Sequence, residues 1–315
     1  MRLVTFTSLH PAGNSPPRTG ALVDGDRKVL DLQAAYGRTY HGSSPLLETM
    51  MHIIDAGEAA LDTIGQLLKA AAPAAMFRRD EVRLLAPVPV PPQMRDFLCF
   101  EKHLQQAFAA VAKLRGTEAR IPKVWYERPI CYHPNRLCVT GTDTDVPWPS
   151  YCNALDFELE FGCYIGRPGK DIPKEHAREH IFGYTIFNDF SARDEQTIEM
   201  QGQLGPGKGK DFDNGNAMGP CLVTADEIGD PYRLEMRVRV NGEEWGRGNS
   251  RDMHWKFEDC IAHASRSETL HPGEFFGSGT VGNGCGLEQL RFLKPGDVVE
   301  LEVEGIGVLR NKVVR

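Results

Sequence analysis

Glu158 and Glu160 alternate with Leu159 and Phe161 in the stretch "ALDFELEFGCYIG", residues 154–166, and Asp156 falls in the same phase. Strand side chains repeat every two residues, so an extended chain puts these three acids on one face and Leu155, Phe157, Leu159 and Phe161 on the other. Such a face is either bathed in water or gathered around a cation. Asp189 ends a second strand-like run, "TIFND", and Asp96 comes just after a proline-rich stretch. Four hard oxygen donors from separate segments are the ligand type preferred by Mg²⁺, Mn²⁺ or Ca²⁺, which makes Asp96, Glu158, Glu160 and Asp189 candidate metal ligands. His103 lies seven residues after Asp96, near the start of a helical pattern. Beside a metal cluster it becomes a candidate general base, because imidazole titrates close to neutral pH. The competing readings are a solvated acidic face and a structural histidine.

The segments that must position these groups fall into two regions. Before residue 86, a strand over 1–8, a hairpin in "ALVDGDRKVLDL" turning at Asp24-Gly25-Asp26, and apolar residues at helical spacing from Leu46 to Leu68 predict a small α/β unit. Pro45 after Ser44 marks the first helical position. The stretch "APVPVPPQ", residues 86–93, holds four prolines and favours an extended linker. The predicted organisation is therefore a domain over 1–85, a linker over 86–93 and a larger domain over 94–315. In that larger part, Leu104, Ala107, Phe108, Val111 and Leu114 give a helix ending at Gly116, after which the texture becomes strand-rich. Asn241-Gly242 between two alternating runs predicts a hairpin, and short helices are expected near 173–180 and 255–266. The second domain reads as a mostly β roll or sandwich.

At 315 residues and 41% apolar content the chain can bury a large core. A net charge of −7 argues against nucleic acid or an anionic membrane as partner and favours a small molecule. Eight cysteines without a C-x-x-C pair argue against a structural zinc site and a disulfide framework, so reduced thiols in a cytoplasm are expected. The first residues carry no apolar run of signal-peptide length, and no apolar stretch is long enough to span a bilayer.

Three motif matches fail on mechanism. Gly202 to Lys208 has the spacing of a phosphate-binding loop, but Gly209 stands where a Ser or Thr hydroxyl is needed. Gly277, Gly279 and Gly282 match the dinucleotide fingerprint by letter, without a convincing helix start after them. "DFDNGN", residues 211–216, has its glycine and its twelfth residue, Leu222, wrong for a calcium loop.

The segments "LDFELEFG", "HIFGYTIFNDFSARDEQ", "GPGKGKDFD" and "GSGT" resemble the hallmark segments of the fumarylacetoacetate hydrolase family, from about residue 93 to the C-terminus and most specifically over 150–215. The region before residue 90 resembles the family's small N-terminal domain only loosely. The resemblance implies an α+β, predominantly β fold: a mixed β-sandwich roll with a small N-terminal α/β domain. It also implies a homodimer and a divalent ion on Asp96, Glu158, Glu160 and Asp189, with Mg²⁺ first and Mn²⁺ or Ca²⁺ as alternatives. His103 takes the position of the family's base, and Glu288 in "GLEQL" that of the glutamate orienting it. Arg193, Gln196 and Lys210 match residues for substrate oxygens and developing negative charge, with Lys208 as the competing inward lysine. Thr280 and Tyr132 match substrate contacts. Leu98 and Met200 stand where fumarylacetoacetate enzymes carry substrate-facing tyrosines, and a site that loses two hydroxyl donors discriminates differently.

The resemblance implies metal-assisted hydrolysis of a carbon–carbon bond in a 1,3-diketone or acylpyruvate-like acid, with water activated by His103. One alternative is decarboxylation or keto–enol isomerisation of a 2-oxo acid. Another is a metal-binding structural protein with a degenerate pocket.

Overall fold

The computed structural model describes residues 1–9, 16–70 and 72–315. Among these, a twelve-stranded sheet and a five-stranded sheet carry the fold. The large sheet begins with the first residues. Arg2–Ser8 pairs with Arg18–Val23, which turns through Asp24 to Arg27 into Lys28–Asp31 as the hairpin pattern predicts. Arg2–Ser8 also pairs with Asn216–Thr224, so the N-terminal strands continue the sheet of the C-terminal part across the proline-rich segment.

From there the sheet runs through Ile181–Asp189, Leu159–Ile165, Phe275–Gly277, Met94–Phe97 and Cys131–Tyr132. These central strands are buried on both faces. The five-stranded sheet, Glu243–Asn249, Glu235–Val240, Val298–Val303, Gly307–Val314 and Asp145–Pro147, alternates buried and exposed residues along Glu235–Val240 and Val298–Val303. Its inner side chains, including Val238, Val299 and Leu301, join the same core as Phe161 and Tyr184. The chain is predominantly β with helices added.

Local expectations fare unevenly. The Asn241-Gly242 hairpin forms between Val240 and Glu243. The helix Glu101–Arg115 ends at Gly116, whose left-handed conformation lets its N–H reach the Ala112 carbonyl, although Leu114 faces solvent. Pro45 starts only a single 3₁₀ turn, Pro45–Leu47. The helix proper is Met50–Ala56, capped by Thr49, whose hydroxyl accepts from the His52 N–H and competes better for that role than Ser44.

The opening stretch also departs from expectation. Instead of one strand, Leu155–Asp156 pairs with Ser191–Ala192 in a separate ladder, and the main strand starts at Leu159. Glu158 makes only an isolated bridge to Cys285. The break lets Asp156 turn away from the two glutamates, which alternation alone would not permit.

Candidate active site and metal centre

Asp96, Glu160 and Asp189, on three strands of the large sheet, converge with Glu158, which directly precedes Leu159–Ile165. Leu159–Ile165 lies antiparallel to Ile181–Asp189 on one side and to Phe275–Gly277 on the other, and the latter runs parallel to Met94–Phe97 with Gly277 opposite Asp96. The ligating oxygens of Asp96, Glu158, Glu160 and Asp189 all lie within 4.8 Å of one another, and all four residues are buried. Two glycines make room for Asp96. A side chain at Gly277 would bring its Cβ to 2.4 Å from Asp96 Oδ1, and Gly279, at φ +72°, would meet the Phe97 carbonyl at 2.2 Å while its own N–H donates to Asp96 Oδ1 at 3.2 Å. That "GSG" segment, rejected as a dinucleotide loop, is a cradle for a carboxylate.

Burial and mutual repulsion push Asp96 and Glu160 well above the ordinary carboxyl range. Burial, with Glu158 nearby, lifts Asp189 to about 6. Glu158 goes the other way: against the effect of burial, Lys210 and Arg193 hold it below the usual range. Glu160 Oε2 and Asp189 Oδ1 are buried without a hydrogen-bond partner among the described residues. A buried carboxylate oxygen left unpaired is unfavourable by about 1–3 kcal/mol or more. The all-oxygen donor set and these two orphaned atoms fit a divalent cation of the Mg²⁺, Mn²⁺ or Ca²⁺ kind.

Two cations already belong to the site. Lys210 Nζ lies 2.7 Å from Glu158 Oε2 and also bonds Asp189, and these charges hold its ammonium protonated despite burial. Lys208, the rival, is exposed and lies over the Tyr151 ring. Arg193 Nη1 is 2.7 Å from Glu158 Oε1 and 3.0 Å from Gln196 Oε1, and its Nη2 has no hydrogen-bond partner among the described residues.

Asp156, given no site role by sequence, anchors this side. Fully buried, it accepts from Arg193 Nε at 2.8 Å and from the backbone N–H groups of Gly286 and Leu287 at 2.8 and 2.9 Å. It thereby ties Arg193 to the turn carrying Glu288. An acid phased with two ligands yet excluded from their ring was the available signal, readable only once the strand break is known.

His103 occupies the first turn of Glu101–Arg115, and its Nδ1 lies 2.8 Å from Glu288 Oε1. With Glu288 ionised and therefore acceptor-only, Nδ1 carries the proton and Nε2 is left free as a base. Burial raises the Glu288 carboxyl, and the His103 contact opposes that rise. Tyr132 donates to Asp189 Oδ2 at 2.6 Å and Thr280 to Glu160 Oε1 at 3.3 Å, so both lie against the acid ring. Leu98 and Met200 are exposed and stand outside the buried ring, at 36% and 53% accessibility.

The family profile described as "Fumarylacetoacetate (FAA) hydrolase C-terminal" matches residues 93–314. The chain belongs to the fumarylacetoacetate hydrolase family. It is similar to a mitochondrial oxaloacetate tautomerase of Homo sapiens, 34% identical over 315 residues that cover 100% of this chain and 92% of the relative. An oxaloacetate tautomerase of Bacillus subtilis is 32% identical over 93% of this chain and 95% of its own. Among solved structures, a fumarylacetoacetate hydrolase from Exiguobacterium antarcticum superposes with a TM-score of 0.75 at 26% identity, covering 100% of this chain and 99% of that one. The protein is thus an enzyme of the fumarylacetoacetate hydrolase family with the family's fold. Among the described residues, no helix is long and apolar enough to cross a membrane.

Proposed function

We propose that this chain catalyses keto–enol isomerisation of a short 2-oxo dicarboxylic acid of the oxaloacetate kind, with Asp96, Glu158, Glu160 and Asp189 holding Mg²⁺ or Mn²⁺. The observation that carries the reading is the His103–Glu288 pair set beside a buried acid ring that also contains Lys210. Full-length likeness to oxaloacetate tautomerases favours isomerisation over bond cleavage. Asp96, Glu158, Glu160 and Asp189 would hold a divalent cation, which would supply Lewis-acid polarisation of the 2-oxo group and charge to offset the enolate.

The remaining work falls to side chains. His103 Nε2 takes a proton from C3 of the keto acid, and Glu288 steadies the imidazolium that results. Lys210 faces the negative charge developing on the oxygen at C2, which gains the proton that the His103 imidazolium gives up, so the enol forms and the base is restored. The substrate changes by one proton position only, and the reverse sequence runs from enol to keto. Arg193, whose Nη2 has no partner among the described residues, and Gln196 orient a substrate carboxylate, while Tyr132 and Thr280 fix the ring from its edge. Leu98 and Met200 set an apolar boundary where a longer polar substrate would need hydroxyl donors.

Exchange of C3 hydrogen for deuterium in oxaloacetate, followed by NMR with Mg²⁺ present, tests this reading. Exchange accelerated by the wild type and slowed by about 10²–10⁴-fold in His103→Ala is expected. An unaccelerated reaction, or a His103→Ala variant as fast as wild type, would sink it.

A second reading, hydrolysis of an acylpyruvate-like acid, draws on the same His103–Glu288 pair acting on water and on likeness to the Exiguobacterium hydrolase. Formation of pyruvate and a carboxylic acid from acylpyruvates, faster than enol exchange in oxaloacetate, would make it the main activity. The homodimer that the resemblance implies belongs with either reading and is tested by sedimentation. Eight free cysteines support a reducing, cytoplasm-like compartment.

A further inference from the structure

Beside the acid ring lies a second group of metal-ligating side chains that the proposed reaction only half uses. One ligand atom each from His103, Cys285 and Glu288 falls within 4.8 Å of the others. We propose that these three residues form a soft-metal site that takes Zn²⁺ and thereby shuts off the base.

The chemistry of the two groups differs in kind. The ring of Asp96, Glu158, Glu160 and Asp189 offers oxygen alone, which suits hard cations, whereas sulfur, imidazole nitrogen and one carboxylate form a set that Zn²⁺ binds well. The three groups are brought together by local geometry. Cys285 and Glu288 share one turn, with the Cys285 N–H directed at Glu288 Oε2 at 3.5 Å, and the backbone of Cys285 bridges to Glu158. His103 comes from the facing helix, and 8% of its side chain remains open. The Asp156 carboxylate holds the turn from behind through Gly286 and Leu287.

Binding moves His103 Nδ1 and Glu288 Oε1 slightly apart from their 2.8 Å separation. Zn²⁺ takes the position of the proton between His103 Nδ1 and Glu288 Oε1, and bonds form from zinc to nitrogen, oxygen and sulfur. The proton on His103 Nδ1 relocates to Nε2 through solvent, so the ring binds as neutral imidazole; the S–H bond breaks and one proton passes to solvent, as happens when a thiol meets a bound cation. With Nδ1 metallated, Nε2 protonated and Glu288 engaged, His103 can no longer act as a base. The enzyme would then need a hard ion in one site and the absence of a soft ion from its neighbour.

Co²⁺ added to the full chain saturated with Mg²⁺ tests the site without reference to turnover. A thiolate-to-cobalt charge-transfer band in the near ultraviolet is expected, at one Co²⁺ per chain, displaced by Zn²⁺ and lost in Cys285→Ser. In parallel, the Zn²⁺ concentration that halves the metal-activated rate should rise by about tenfold or more in Cys285→Ser. No band in the wild type, or a band that survives Cys285→Ser, would overturn the proposal. Should that variant fold poorly, zinc-edge X-ray absorption of the Mg²⁺-saturated wild type decides: a single sulfur neighbour at about 2.3 Å supports the site, and an all-oxygen and nitrogen shell refutes it.

Discussion

The tripeptide Glu-Leu-Glu occurs in two strand regions, at Glu158–Leu159–Glu160 and at Glu300–Leu301–Glu302, and the fold treats the two oppositely. Both alternate acid with apolar, and both leucines enter the same core. Glu300 and Glu302 stay on the outer face of the five-stranded sheet, partly exposed, opposite Arg310, Arg237 and Arg239. Glu160 lies in a sheet buried on both faces and Glu158 just ahead of that strand, where two more acids lie close by. Alternation is therefore a statement about phase alone. Whether a polar face meets water or becomes a site depends on what the neighbouring strands carry, and surface pairs contribute little whereas buried charges are high-stakes.

The sharpest break of this comparison is Glu160→Gln. The substitution should lower kcat/KM by about 100-fold or more, beyond the 10–100-fold typical of groups outside the ligand set. At the same time it should raise the thermal midpoint of the chelator-treated protein, because a buried, repelled carboxylate becomes neutral. Activity and stability moving together would contradict the reading.

Asp156→Asn comes next. Neutralising the partner of buried Arg193 should lower unfolding free energy by about 3 kcal/mol. Loosening of the Glu288 turn should slow catalysis by about 10-fold or more, and denaturant titration alongside kinetics separates the two effects.

The third effect is one of pH. Asp189 is lifted from the ordinary 3.8 to about 6 in the folded state, and Asp96 and Glu160 are lifted as well. In the metal-free protein the folded form then binds more protons than the unfolded one, so their contribution makes stability fall as pH rises from about 4 through 6. Divalent ion should remove that fall and bind more tightly with rising pH across the same window. Thermal midpoints with and without Mg²⁺, compared from pH 4 to about 7, check the sign.

The smallest effect belongs to the control. Glu302→Gln should change stability by no more than about 0.5 kcal/mol and leave metal binding untouched. A loss of metal affinity there would erase the contrast.

Much of the site could be read from the sequence because its groups sit on distinctive types at distinctive places: Asp96 after a proline run, two glutamates in phase, a histidine opening a helix. Glu288 and Lys210 were reachable through family resemblance, since nothing in their local spacing announces the 185 residues that separate Glu288 from His103 or the pairing of Lys210 with Glu158. The tie that Asp156 makes to the Glu288 turn and the role of Gly277 were not legible. Both depend on a strand break and on two backbones approaching closely, which are tertiary facts without a local pattern. The same holds for the Thr49 cap that displaces the helix start from Pro45, where a better local hydrogen bond prevails over a general positional preference.

Calorimetric titration of the chelator-treated chain with Mn²⁺ tests the buried ring most directly. One ion per chain is expected in the wild type and in Glu302→Gln, with the heat of binding abolished or strongly weakened in Glu160→Gln. Equal binding by all three proteins would contradict a metal centre built on Asp96, Glu158, Glu160 and Asp189.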